Sequence, residues 1–127
     1  DEMWDGVLHM APPPGGPHQS FSSRLVTYLQ LHWEPVSGGI AHGERGVSPE
    51  PDAAWVHNYR VPDVVLLAAG QLALDVDTHI AGGPMVVVEV RSPGDETDEK
   101  FPFYAGLGVR EVWVFDRATR EPELYEL

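Results

Sequence analysis

Met85-Val86-Val87-Val88-Glu89-Val90-Arg91 is a run of valines interrupted by one carboxylate. Apolar residues that do not alternate with polar ones predict a strand buried on both faces, and therefore one in the middle of a sheet. Gly82-Gly83-Pro84 before it and Ser92-Pro93-Gly94 after it supply the breaks. Downstream, Val109 to Phe115 predicts another strand, Asp116 to Arg120 a turn, and Glu121 to Leu127 the returning arm of a hairpin. Between them Asp95 is placed to cap a helix through Gly106, with acidic residues in the first turn complementing its dipole. Pro102 inside that span would remove a hydrogen bond to the carbonyl of Asp98, so this helix is expected to be short or kinked.

Upstream, Val61 to Leu67 predicts a strand, and Pro62 is tolerated because the first residue of a strand need not donate to the ladder. Gln71 to Ile80 has no clear period. From Glu34 to Arg60 glycines and prolines interrupt the chain, and one or two short strands are expected around segments such as Val36-Ser37 and Ala54-Trp55-Val56. Phe21, Leu25, Tyr28, Leu29 and His32 recur at helical spacing and predict a helix from about His18 to Trp33. Pro12-Pro13-Pro14-Gly15-Gly16-Pro17 breaks regular structure before it, and Pro17 suits a helix's first position. Asp5-Gly6, between Met3-Trp4 and Val7-Leu8, predicts a two-residue type I′ hairpin turn, which needs positive φ at both positions. The order of hairpin, helix, strands, helix and strands gives an α+β (mixed α/β) class rather than a regular β-α-β alternation.

At 127 residues the chain is expected to be a single domain over 1–127. It begins without Met and stops inside an expected strand, so trimming at one or both ends is expected. Cysteine is absent, which excludes a disulfide scaffold, a thiolate zinc site and a cysteine nucleophile. The net charge is -12, and the only lysine is Lys100. An acidic surface argues against passive nucleic-acid binding, which needs cations to displace the counterions around phosphates. No apolar run is long enough for a membrane span and the N-terminus lacks signal-peptide character, so a cytoplasmic protein is expected.

Glu89 is the most informative residue. Its neighbours demand burial, and an unpaired buried carboxylate costs several kcal/mol or takes up a proton, so it needs a cation, strong donors or a metal. Arg91, two residues on and so on the same strand face, is the simplest partner. Asp63 is a second carboxylate, at the beginning of an apolar strand. If the two strands are neighbours, the carboxylates would lie within about 5 Å and call for a divalent ion or a raised pKa. Asp63, Glu89 and an intervening backbone carbonyl form an all-oxygen set suited to Mg²⁺ or Mn²⁺. Pro-Asp before a strand is more often a turn or a cap, and Pro51-Asp52 is a rival without an apolar strand after it. Lys100 would ordinarily be a solvated helix residue; near a metal it could orient an attacking water and stabilise developing charge. Asp75-Val76-Asp77 is better explained as a polar strand edge or loop, and the histidines show no zinc spacing.

Pro62-Asp63, Glu89-Val90-Arg91-Ser92-Pro93, Asp95, Lys100, Tyr104, Gly108-Val109 and Glu111-Val112-Trp113-Val114-Phe115-Asp116 together resemble the Uma-type putative restriction endonuclease family, a branch of the PD-(D/E)xK nuclease superfamily. Trp4-Asp5-Gly6-Val7-Leu8, Ala11-Pro12-Pro13 and His18 extend the resemblance over most of the chain. It implies a restriction-endonuclease-like core, a mixed central sheet flanked by helices. Asp63, Glu89 and the Val90 carbonyl would bind Mg²⁺, with Mn²⁺ as substitute, and Lys100 would assist water attack on a phosphodiester of DNA. The superfamily usually carries lysine two residues after the strand's acid, where this chain has Arg91; the lysine is displaced onto the following helix as Lys100. Arginine lacks a compact, proton-transferring charge, so Arg91 is assigned to positioning or ion pairing. His18 and Tyr104 match family positions as supporting residues. A homodimer is implied as well, helped by the edge that the C-terminal strands leave open. The alternative is a catalytically inactive nuclease-fold module acting in protein binding or self-assembly, and the net charge motivates it: phosphate would have to be held by metal and by a few arginines such as Arg24, Arg60, Arg91 and Arg110.

Overall fold

The computed structural model describes residues 1–13 and 15–127. From the N-terminus, β1 (Glu2–Trp4) and β2 (Val7–His9) form a hairpin, followed by α1 (Gly16–His32) and the single turn α2 (Glu34–Ser37). Then come β3 (Ile40–His42), β4 (Val47–Ser48), a 3-10 segment at Ala53–His57, β5 (Val64–Leu67), and a second 3-10 segment at Ala69–Leu74. The chain continues through β6 (Ile80–Ala81), β7 (Val86–Arg91), a 3-10 turn at Asp98–Lys100, α3 (Phe101–Leu107), β8 (Glu111–Asp116) and β9 (Pro122–Glu126).

The valine run is the middle strand of a five-stranded sheet ordered β3-β5-β7-β8-β9. It pairs antiparallel with β5 and parallel with β8, so the sheet is mixed. Val86 and Val88 face α1, packing with Val64, Leu66 and Leu29. Val87 faces the other way, into Tyr104, Val109, Val112 and Val114 under α3. Farther along that second face, Val65 and Leu67 are covered by Val47 and Ile80 of the small parallel β4-β6 pair. Helix on one side and α3 with the β4-β6 pair on the other explain the unalternating valines: both faces are inside. Among the described residues no helix is long and apolar enough to cross a membrane.

The expected elements form with shifted bounds. Asp5 (φ 47°) and Gly6 (φ 84°) both take positive φ, as the type I′ turn requires. Pro102 starts α3 instead of kinking a longer helix, and the N–H of Phe101 reaches the Asp98 carbonyl to end the 3-10 turn before it. Asp95 therefore caps a turn: its carboxylate accepts from the N–H groups of Ser92 (2.7 Å) and Thr97 (3.1 Å). Two short strands do occur between residues 34 and 60, but not on the segments expected. Val36-Ser37 coils into α2, which Gly38 ends with φ 73° and an N–H returned to Glu34. Ala54-Trp55-Val56 winds into a 3-10 segment that Asp52 caps through the Ala54 N–H (2.9 Å), which also accounts for Pro51-Asp52. Of the prolines expected to break the chain before α1, Pro14 lies outside the described residues.

The hairpin is docked rather than free. Gly6 donates to the His57 carbonyl (2.8 Å) and Tyr59 donates to that of Met3 (2.7 Å). The Arg60 guanidinium lies 4.3 Å from the ring centroid of Trp4 and 4.0 Å from that of Phe103, clamping the hairpin to α3.

Gly83 lets the end of α3 abut the start of β7, since a Cβ there would lie 2.3 Å from the Leu107 carbonyl oxygen. Gly83→Ala is expected to destabilise the fold by about 1–3 kcal/mol in a urea titration. Gly106→Ala, whose Cβ would meet nothing within 4 Å, should be neutral or stabilising in the same experiment.

Candidate active site

Glu89 is held inside by the strand that carries it and is only 4% exposed. Its partners come from the turn and helix that follow. Lys100 and Tyr104, four residues apart and so on one helical face, both turn toward it. Lys100 Nζ lies 3.1 Å from Oε1 and 3.3 Å from Oε2, and the Tyr104 hydroxyl donates to Oε1 at 2.9 Å. Arg91 takes no part and pairs with Asp98 instead. A second carboxylate meets the same ammonium: Glu2 Oε2, on β1, accepts from Lys100 Nζ at 2.6 Å. Glu2 also accepts from the Val61 N–H (2.7 Å) and the Trp4 indole (2.9 Å).

Asp63 precedes β5. Continuing the strand register would set it opposite Glu89, but its N–H goes to the carbonyl of Val88 (2.9 Å), the residue opposite Val64. Having left the ladder, Asp63 offers its carboxylate as the acceptor the sheet lacks there, and Val90 N–H donates to Oδ2 at 2.7 Å. Oδ1 is 2.7 Å from His18 Nε2, in the first turn of α1. An open cleft of about 450 Å³ lies over this pair, lined by His18, Gln19, Ser22, Gly43, Glu44 and Asp63.

Two adjoining clusters result, Glu89-Lys100-Tyr104-Glu2 and Asp63-His18-Val90, joined by the β7 backbone. They act on each other electrostatically. Burial pushes the Glu89 carboxyl up to about 7; Lys100 opposes the shift, and Asp63 and Glu2 add to it. Burial alone would lower the Lys100 ammonium, but Glu89 and Glu2 outweigh it and hold it above its ordinary value. Burial and the Glu89 charge raise the Tyr104 hydroxyl, so it stays a donor. His18 is raised chiefly by its hydrogen bond to Asp63.

Three carboxylates thus share one ammonium and one imidazole, an anionic excess that a divalent cation would relieve. Among the described residues no three His, Cys, Asp or Glu side chains form a ready-made cage. What the site offers is two carboxylates and the Val90 carbonyl, which shares the strand edge of the N–H bound to Asp63. Such a sparse, all-oxygen set fits Mg²⁺, which retains waters and shares substrate phosphate oxygens.

Glu2 was not legible as a site residue. Its only signal is a carboxylate on an arm of the Asp5-Gly6 hairpin, and nothing local says where that hairpin docks. Two of the arginines expected to meet phosphate are committed elsewhere, Arg60 beneath the hairpin and Arg91 to Asp98, whereas Arg24 and Arg110 are exposed. Asp75 is paired with Arg45 (2.7 Å), consistent with a polar loop.

The family model described as "Uma2: Putative restriction endonuclease" matches residues 2–127. The fold is similar to the crystal structure of a putative nuclease belonging to DUF820 from Anabaena variabilis ATCC 29413, with a TM-score of 0.71 and 20% identity over 99% of this chain and 76% of that one. At that identity the likeness speaks for the fold. No curated protein matches the chain.

Glu89 makes the site's stability depend on pH. Unfolded, it ionises near 4.5; folded, it keeps its proton to about 7, so the folded state binds more protons between these values and Glu89's contribution falls as pH rises through them. Glu89→Gln, a fixed neutral side chain, is expected to match wild type near pH 4 and to exceed it near pH 8 by on the order of 3 kcal/mol, measured by denaturant titration at both pH values.

Proposed function

The chain belongs to the Uma2 family of putative restriction endonucleases, and from that premise we propose that it is a Mg²⁺-dependent endonuclease hydrolysing phosphodiester bonds in DNA. The observation that carries this reading is the Glu89 carboxylate, buried in the central strand against the only lysine and within electrostatic reach of Asp63.

Asp63, Glu89 and the Val90 carbonyl would hold the metal. Bound there, Mg²⁺ supplies charge neutralisation on a phosphate oxygen and lowers the pKa of a water. The reaction adds the water oxygen to phosphorus and breaks one P–O ester bond, and the departing sugar oxygen takes up a proton. Lys100 presents its ammonium beside Glu89, where it orients the water and stabilises negative charge growing on the phosphoryl oxygens. Tyr104 fixes the rotamer of Glu89 from within the core, and His18 fixes Asp63 from α1. Substrate would approach through the cleft over His18 and Asp63, with Arg24 and Arg110 as exposed cations for the phosphate backbone. The reading includes a cytoplasmic enzyme and a homodimer formed over the open β9 edge, where Leu124 is exposed.

One observation favours a second reading. With a net charge of -12 and Arg45, Arg60 and Arg91 all engaged internally, few cations are left to hold DNA, as expected of a nuclease-fold module that binds protein or assembles with itself.

Mg²⁺ or Mn²⁺ is expected to support cleavage of plasmid DNA on agarose gels, and Asp63→Ala, Glu89→Ala and Lys100→Ala are each expected to abolish it. Cleavage that survives Glu89→Ala would overturn the assignment. Calorimetric titration of Mn²⁺ at low salt should show binding by wild type and loss of binding by Asp63→Ala; identical isotherms would favour the non-catalytic module.

A further inference from the structure

Lys100 lies nearer to Glu2 than to Glu89, at 2.6 Å against 3.1 and 3.3 Å. The contact bridges 98 positions in sequence and is sheltered, with both side chains 12% exposed. Glu2 is itself immobilised. Its Oε1 is held by the Trp4 indole and its Oε2 by the Val61 N–H, while the hairpin beneath is pinned through Gly6, Tyr59 and the Arg60 clamp. Docking of the hairpin therefore has its own hydrogen bonds, and the ion pair with Lys100 is additional to them. A lysine ends a flexible four-carbon stem, and a charge on such a stem is aimed only by what grips it. Glu89 cannot be the sole grip if its oxygens are to turn to a metal ion.

We propose that Glu2 is the positioning residue for Lys100: the N-terminal hairpin delivers a second carboxylate that keeps the ammonium in place when Glu89 is drawn onto the divalent ion. This rests on the hydrolytic reading of Asp63, Glu89 and Lys100, and it adds β1 to the elements that build the site. It also accounts for a carboxylate on a hairpin arm being turned inward, where Glu2 is only 9% exposed.

Because Lys100 is the only lysine, protein grown on ¹³C,¹⁵N-lysine carries a single labelled side chain. Exchange of its ammonium protons with water can then be read by NMR with and without Mg²⁺, independently of any cleavage. In wild type this exchange is expected to be slow and to remain slow with Mg²⁺. In Glu2→Gln, which keeps an acceptor for the Val61 N–H, it should accelerate at least about tenfold, and further with Mg²⁺, while the amides of Gly6 and Tyr59 stay protected. Plasmid cleavage should lose about tenfold in kcat with KM within about twofold. Unchanged Lys100 exchange in Glu2→Gln overturns the proposal, as does loss of Gly6 protection, which would make the carboxylate a docking group. Asn58→Ala removes the acceptor for the Asp5 N–H and for Arg60 and loosens the hairpin with Glu2 intact. Because the hairpin delivers Glu2, Lys100 exchange should accelerate there in step with loss of Gly6 protection; Lys100 exchange that stays slow while Gly6 loses protection would overturn the proposal. Absence of cleavage by wild type with every divalent ion tried would defeat the hydrolytic reading, while the exchange data still decide whether Glu2 grips Lys100.

Discussion

A carboxylate on the most enclosed strand of the protein must be compensated, and most of the irregular structure follows from that requirement. Glu89 cannot move outward, because Val88 and Val90 on either side belong to the core. The compensation is brought to it. The chain leaving β7 turns back through Asp98–Lys100 and begins α3 at Phe101, so that Lys100 and Tyr104 arrive on one side of the carboxylate. The ammonium that results is itself buried, and a lone buried pair rarely recovers its desolvation cost without further hydrogen bonds. Glu2 supplies them. The hairpin that carries it is held in place independently, by the clamp of Arg60 between Trp4 and Phe103 and by the Val61 N–H on the Glu2 carboxylate.

The parts of this arrangement set by local chemistry are visible in the sequence. The unalternating valines identify β7 as central because no half-exposed strand could afford them. Asp5-Gly6 identifies a type I′ hairpin because few other dipeptides accept two positive φ values, and Pro102 marks a break because its ring forbids a continuing helix. Glu89 stands out for the same reason, a charge where the pattern demands none. What sequence does not reveal is how elements meet. The hairpin is legible as a hairpin, but its docking against Tyr59 and Arg60, and with it Glu2, depends on contacts more than fifty residues away. Val36-Ser37 has the composition of a strand and becomes a helical turn because Gly38 can close it with positive φ. Asp63 was legible as a carboxylate before a strand. Its step out of the ladder, which turns the side chain to Val90 and His18, was not.

The excess of acidic residues takes a different meaning once the arginines are located. Arg45 neutralises Asp75, whose carboxyl is held down to about 2 chiefly by that hydrogen bond; Arg91 neutralises Asp98; Arg60 is buried between two aromatic rings. These cations are committed to contacts that hold the fold together, and the net charge of -12 is left with few unpaired arginines on the surface. Any polyanion must therefore be drawn by a few points of concentrated positive charge rather than by a broad basic face, and with few counterions released its binding will depend only shallowly on salt.

The joining of Glu2 to Lys100 sets a temporal order as well as a spatial one. Contacts that span most of a chain form late, because the loop they close must be ordered before they gain anything. A ribosome emits β1 and its carboxylate 98 residues ahead of Lys100, so no nascent fragment that stops short of Lys100 can contain the assembled cluster. Between those moments Glu2 is a solvated acid on an isolated hairpin and Glu89 has no cation. The same separation means that a single cut in the loops between them leaves neither piece with a complete set of charges, so that the chemistry of the site belongs to the finished molecule alone.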